Sequence, residues 1–215
     1  MRPAAALLAF LGAIAVFHHL PVAFHAGWHE AVDLITPFPV LAAAVLLLVA
    51  LEAGERALVA AFVGAILYTD GHGMHLAGNA INVEGLHGHV GHLANFWDER
   101  WGHFEWHTGW FTLLAAACLA DLRRSAPAAV PPRFAAAAIV LLGGSLFADT
   151  VEGGTWWLEL GATVVFAAWA VRARRPFLAT VAGGFALAAA LIGIWAAWHG
   201  GMPQFSDLGW LSKAK

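Results

Sequence analysis

The strongest indication of the fold is the stretch PFPVLAAAVLLLVALEAGERALVAAFVGAILY, residues 37–68. It contains two long apolar runs separated only by the charged turn EAGER. An apolar run of roughly 20 residues is the length at which a helix crosses the hydrocarbon core of a bilayer. The short charged turn leaves the two runs as neighbours along the chain. The stretch therefore predicts two adjacent, antiparallel membrane-spanning helices.

The same pattern extends along the whole chain of 215 residues, of which 60% are apolar and only 12% are charged. A soluble domain of this size rarely has such a balance. The predicted fold is an all-α, polytopic integral membrane helix bundle, with residues 1–215 as a single transmembrane domain. About seven spans are predicted, at 4–24, 37–53, 57–80, 96–120, 133–151, 156–172 and 177–199.

The basic residues predict how the bundle is oriented. Lys and Arg are absent from the loops 25–36, 81–95 and 152–155, whereas the alternate loops all contain Arg. This alternation indicates a cytoplasmic N-terminus by the positive-inside rule. The first apolar run also resembles a signal peptide, but it is long and lacks a small-x-small cleavage site, which favours an uncleaved helix. Alanine-rich spans and a preference for Arg over Lys favour a bacterial inner membrane.

Histidine is distributed unevenly across the predicted membrane. All 12 histidines fall on the outer side of the predicted topology, and the cytoplasmic half contains none. Ionisable side chains at membrane depth are costly, so they usually face a protein interior or a wet cavity and mark function. The segregation therefore predicts one functional site in the outer half of the membrane.

The candidate metal site combines two stretches, DGHGMHLAGN (70–79) and DERWGHFEWH (98–107). Residues three or four apart share a helix face, so each stretch places its histidines in one stripe. Adjacent antiparallel helices can turn two such stripes toward each other, as four-helix bundles do when they build metal sites. The predicted metal ligands are His72, His75, His103 and His107.

Three carboxylates are predicted to complete this site or to act as its acid and base. Glu99 precedes His103 by four residues and falls in the same stripe. Asp98, the neighbour of Glu99, is a candidate to orient an imidazole by a hydrogen bond to the ring nitrogen that does not bind the metal. Asp70 lies about 200° around the helix from His72, so it joins the site only if the neighbouring glycines distort the helix.

Three histidines and a carboxylate with one open position suit a catalytic Zn²⁺, which lowers the pKa of bound water toward about 7 and polarises a carbonyl. A nearby carboxylate would then move the proton. The membrane setting predicts a lipid or other amphiphile as the substrate, reaching the site from the outer leaflet. The chain has no basic patch of the kind that binds nucleic acid. The predicted function is therefore a membrane zinc hydrolase.

The string HFEWH, residues 103–107, has the form H-x-x-W-H. It resembles the histidine-pair motif of the seven-helix membrane hydrolases that include alkaline ceramidases and adiponectin-type receptors. The resemblance covers the helix count and this motif. It implies zinc held by the pair with a third His, an Asp and a Ser from other helices, and amide hydrolysis of lipids.

The sequence departs from the family pattern in two ways. The family carries the pair on its last helix, whereas here it lies on the fourth. The S-x-x-x-H element is absent, so DGHGMH (70–75) would supply the third ligand, and Ser145 is the serine near the right depth.

Two other functions remain open. Eight histidines fall in short-spaced pairs, a pattern that membrane di-iron oxidases and hydroxylases also use, so iron is the alternative metal. Those enzymes usually carry their histidine boxes on the cytoplasmic side. A divalent-metal transporter or sensor is the third class, because intramembrane His and carboxylate chains can line an ion path. The apolar inner ends of the spans favour a one-sided site over such a path.

Other polar groups on the outer side are candidates without an assigned role, and no oligomeric state is predicted. These groups are His18, His19, His25, His29, His87, His89, His92, Asp149 and Glu152.

Overall fold

Every regular element is helical in the computed structural model, which describes residues 2–19, 28–83 and 88–210. The prediction of an all-α chain is therefore confirmed for these residues. The elements are α1 (Pro3–His19), α2 (Trp28–Ile35), α3 (Pro37–Ala50), α4 (Glu55–Val83), α5 (Gly88–Asn95), a π-helix (Phe96–Gly102), α6 (His103–Arg123), α7 (Pro132–Glu152), α8 (Trp156–Ala173) and α9 (Pro176–His199).

Four helical segments are long and apolar enough to cross a membrane. They are Val32–Ala50, Glu55–Ile81, Pro132–Glu152 and Pro176–His199. The helix Pro3–His18 is apolar but shorter, and α6 and α8 are not among the four. Most of α6 is buried by its neighbours, including the polar side chains of His103, His107 and Asp121. Length and composition thus support a membrane protein with at least four candidate spans.

Short helices occupy parts of two segments that the sequence predicts as outer loops. In the first of them, α2 is joined to α3 through Thr36, whose hydroxyl donates to the carbonyl of Phe17 at 3.0 Å and to that of Val32 at 3.1 Å. These bonds tie the junction to the end of α1. The second short helix, α5, leads directly into the π-helix and α6.

Helices α4 and α6 make the closest packing in the bundle, because glycines line both sides of their crossing. A Cβ atom at Gly71 would overlap the backbone nitrogen of Trp106, and one at Gly109 would overlap that of Tyr68. Small residues let helix backbones approach in this way. The polar residues of α4 are consequently brought against the start of α6.

Several helix ends meet at one end of the bundle. The last turns of α1 and α7 are in contact through His18 and Asp149, and the segment before α8 reaches α6 through Thr155. The first turns of α6 lie against the second half of α4. This end of the bundle therefore contains the candidate site.

Candidate metal centre

Among the residues that the structure describes, one group of three side chains could share a metal ion. It consists of His75, Asp98 and His103, whose donor atoms all lie within 4.8 Å of one another. Asp98 and His103 are buried, and His75 is half-buried. Helix α4 supplies His75, while the π-helix and α6 supply the other two, so the group depends on the close α4–α6 crossing.

The π-helix decides which carboxylate reaches this group. A π-helix pairs residues five apart rather than four, and such turns occur frequently at functional sites. The ring nitrogen Nδ1 of His103 lies 3.0 Å from the backbone oxygen of Asp98, five residues earlier. The Asp98 side chain is turned into the bundle and is 1% exposed, whereas Glu99 is only half-buried.

Three imidazoles are anchored through the same ring atom. Nδ1 of His75 lies 2.6 Å from Oδ1 of Asp98, and Nδ1 of His103 bonds to the Asp98 carbonyl. Nδ1 of His107 lies 2.5 Å from the hydroxyl oxygen of Thr155. Metal-binding histidines almost always donate their second ring N–H to such a partner, which fixes the tautomer and the ring orientation. The arrangement leaves Nε2 of all three rings as the atom that can bind a metal.

The free nitrogen of His107 fits this assignment. Its Nε2 atom is buried and has no hydrogen-bond partner, although the residue is only 1% exposed. A buried polar atom without a partner is costly and calls for a ligand or other explanation. The donor set present, imidazole nitrogens beside a carboxylate, suits Zn²⁺ and also Fe²⁺.

The spacing of the rings is close to that of a shared ion. The ring centroids of His75 and His103 are 4.6 Å apart, and those of His103 and His107 are 5.9 Å apart. Two imidazoles on one tetrahedral zinc, with Zn–N distances of about 2.0–2.1 Å, place their centroids about 5 Å apart. His103 is therefore the central ring, near both of the others, although His107 is not part of the group of three.

An indole lies at the centre of the histidines. Trp106 is 3% exposed. Its ring centroid lies 4.2 Å from that of His18, 4.8 Å from His72, 5.6 Å from His75, 5.8 Å from His107 and 6.0 Å from His103. Trp106 restricts the rings on several sides and so fixes their positions, a role that its place in the sequence does not indicate.

Four predicted site residues lie outside the group of three. Two of them, His107 and Glu99, are neighbours of its members, whereas His72 and Asp70 have partners elsewhere. His72 donates from Nε2 to the backbone oxygen of Asp33 at 2.8 Å, which ties α2 to α4. Asp70 is exposed and lies beside Glu105, outside the group. The reason is that α4 is a regular α-helix from Glu55 to Val83, so its glycines do not rotate Asp70 toward the site.

The groups without an assigned role have varied surroundings. Nε2 of His18 lies 2.8 Å from Oδ1 of the buried Asp149. A carboxylate oxygen of Glu152 accepts the backbone N–H of Ser206 at 3.2 Å. Both histidines of α5 are exposed. The positions of His25 and His87, and the side chains of His19 and His29, lie outside the described residues.

Comparison of the chain with family models, with curated proteins and with solved structures finds no match. The fold and the site alone therefore define the class of protein. The part of the chain that the structure describes is all-helical, with four helices able to span a membrane and a histidine–aspartate cluster that could hold a metal ion.

Proposed function

We propose that this protein is an integral membrane metallohydrolase that holds one zinc ion and cleaves a lipid or other amphiphile. Its ligands are the Nε2 atoms of His75, His103 and His107. Asp98 either orients two of these rings by hydrogen bonds or binds the zinc itself. The observation that carries the proposal is the common anchoring of Nδ1 in all three rings. The resemblance of residues 103–107 to the ceramidase-type hydrolases agrees with it.

The residues around the site have separable tasks in this proposal. Zinc held there would supply Lewis acidity and activate water near neutral pH. Asp98 holds His75 with its carboxylate and His103 with its carbonyl, so one residue orients two rings. Glu99, half-buried beside Asp98, accepts the proton from water and returns it to the leaving group.

The exposure of the site supports an amphiphilic substrate. The side chain of His75 is 20% exposed, whereas Asp98 and His107 are each 1% exposed. Access to the metal therefore lies on the His75 side. Trp97 and Trp101 of the π-helix are exposed nearby, and tryptophan favours the boundary between headgroups and hydrocarbon. A substrate with a polar head and an apolar chain fits such a rim.

The finer topology belongs to the same proposal. Seven helices, α1, α3, α4, α6, α7, α8 and α9, cross a bacterial inner membrane, with the N-terminus on the cytoplasmic side. The charge alternation of the loops supports this orientation. In this orientation the second half of α4, which carries His75, lies toward the outer side. The proposed metal centre would therefore lie in the outer half of the membrane.

Di-iron and transport functions have less support. Two irons need two sets of ligands, and only one group of three is found in residues 2–19, 28–83 and 88–210. A transporter needs ligands along a path, whereas this group lies at one end of the bundle.

The test measures metal and turnover on the same preparation. Purified protein is analysed for zinc and iron, reconstituted into vesicles that contain N-acyl and O-acyl lipids, and assayed for released fatty acid. About one zinc per chain together with metal-dependent release supports the proposal. Two irons per chain, or a zinc-loaded protein that cleaves neither lipid class, would contradict it.

Thr155→Val is expected to weaken zinc binding about 10- to 100-fold, the usual cost of losing a partner behind a metal-bound histidine. The valine keeps the shape of the side chain but removes the oxygen that lies 2.5 Å from His107. Competition with a chromophoric chelator measures the affinity. Thr112→Val is the matched control, because that hydroxyl bonds only to the Thr108 carbonyl of its own helix. Equal affinities in both variants would remove His107 from the ligand set.

A further inference from the structure

The segment after α9 turns back over the end of the bundle that contains the metal centre. This segment, residues 200–210, is called the strap below. Gly200 begins it with a positive φ of 66°, a conformation that glycine adopts without strain. The indole N–H of Trp195 then donates to the Pro203 carbonyl at 3.0 Å. The chain therefore reverses direction at a pair of glycines, Gly200 and Gly201.

One side chain of the strap contacts both sides of the site. The amide nitrogen of Gln204 donates to the backbone oxygen of Glu152, at the end of α7. The same side chain interacts with the carboxylate of Glu99 in the π-helix. The backbone N–H of Ser206 adds a second bond to Glu152, at 3.2 Å. Gln204 thus bridges α7 and the π-helix.

Both contact points adjoin the metal centre. Glu99 is next to the cluster residue Asp98. Glu152 is followed by Gly153, and a Cβ atom there would come within 2.6 Å of the His103 ring. The strap therefore contacts the chain neighbours of Asp98 and of Gly153, the residue that lies against His103.

The rest of the strap is held by aromatic contacts away from the site. Phe205 lies 4.8 Å from Trp195 and 5.7 Å from Phe147, measured between ring centroids. Trp210 lies 5.2 Å from Trp195. These contacts keep the strap near α9, whereas few polar bonds hold it across the site. A segment with few bonds to its surroundings opens at low free-energy cost.

We propose that the strap is a lid over the metal centre, with Gly200 and Gly201 as its hinge and Gln204 as its latch. The inference rests on the proposed function, because it needs a metal at the cluster. The closed lid shields the metal from water on the side of α7. Metal ions enter and leave the site when the Gln204 latch opens. Amphiphilic substrates reach the metal from the side on which His75 is exposed.

The experiment measures how fast zinc leaves the loaded, full-length protein in the presence of excess EDTA. Gln204→Ala removes the hydrogen bond to the Glu152 carbonyl and the interaction with Glu99. We expect release about tenfold faster, which is near the upper end of what one net hydrogen bond contributes. Ser206→Ala is the matched control: Ser206 contributes only its backbone N–H here, so its release rate should equal that of the unchanged chain.

A second variant locks the lid. Cysteines at positions 152 and 206, joined by a short bifunctional thiol reagent, should slow zinc release severalfold, and Cys118 does not interfere because it is fully buried. The Glu152→Cys single variant is its control. Equal release rates in the unlatched, locked and unchanged proteins would overturn the lid while leaving the metal centre intact. A chain that binds no zinc overturns the proposed function and the lid with it.

Discussion

His103→Ala is expected to abolish zinc binding and hydrolysis while leaving the helical fold in place. His103 is the central ring, with His75 and His107 on either side of it. Its loss removes a ligand outright, so the affinity should fall by more than the roughly 10- to 100-fold that an outer partner costs. Zinc per chain by elemental analysis and helicity by circular dichroism measure the two effects.

The matched control for His103→Ala is His89→Ala. His89 is exposed on α5, outside the cluster, so its replacement should change neither zinc content nor stability. Unchanged zinc content in His103→Ala would count directly against the proposed centre. Loss of zinc in His89→Ala as well would show that the measurement reports general damage to the protein.

Gly71→Ala is expected to destabilise the bundle strongly. The added methyl group would overlap the backbone nitrogen of Trp106 and come within 2.6 Å of the Gly102 carbonyl. Backbone atoms cannot rotate away, so α4 and α6 must separate, and overpacking of this kind costs about 1–3 kcal/mol or more. The same separation would draw His75 away from His103 and lower zinc occupancy. Thermal unfolding in detergent measures the change.

Gly73→Ala is the control on the same helix. A Cβ atom at Gly73 has nothing within 4 Å, and alanine is favoured over glycine in a helix by up to about 1 kcal/mol. Its midpoint of unfolding should therefore equal or exceed that of the unchanged chain. Equal midpoints for Gly71→Ala and Gly73→Ala would show that the glycine crossing does not determine the α4–α6 distance.

The helices could be predicted because apolar length is a strong and local signal. The span predicted at 133–151 is the helix Pro132–Glu152, and that predicted at 177–199 is the helix Pro176–His199. Proline at the first helical position and glycine after the last one mark these ends in the sequence. The two short helices, α2 and α5, contain too few residues to give such a signal.

The two stretches that form the cluster could also be recognised, and Asp98 could be named as a residue that orients an imidazole, but its place in the group ahead of Glu99 could not be predicted. Spacing on a regular α-helix placed Glu99 in the stripe of His103. The π-helix instead turns Asp98 into the bundle beside His103. The π-helix ends at Gly102, which packs so closely against α4 that an added Cβ would lie 3.0 Å from the backbone nitrogen of His75. Nothing in the local spacing reveals it.

Partners from distant helices were the least predictable part of the site. Thr155 reaches His107 across 48 residues, and His18 reaches Asp149 across a still longer separation. Such pairs depend on which helices are neighbours, and the hydrophobic period of each helix does not specify its neighbours. Trp106 illustrates the same limit, because only the packed bundle shows that five imidazoles surround it.

X-ray absorption at the zinc edge, on purified protein loaded with one equivalent of zinc, would identify the ligands of the proposed metal centre. We expect three imidazole nitrogens at about 2.0–2.1 Å and one or two oxygens, with an imidazole lost in His103→Ala. A spectrum with oxygen ligands alone, or one unchanged by His103→Ala, would contradict a metal centre built from His75, His103 and His107.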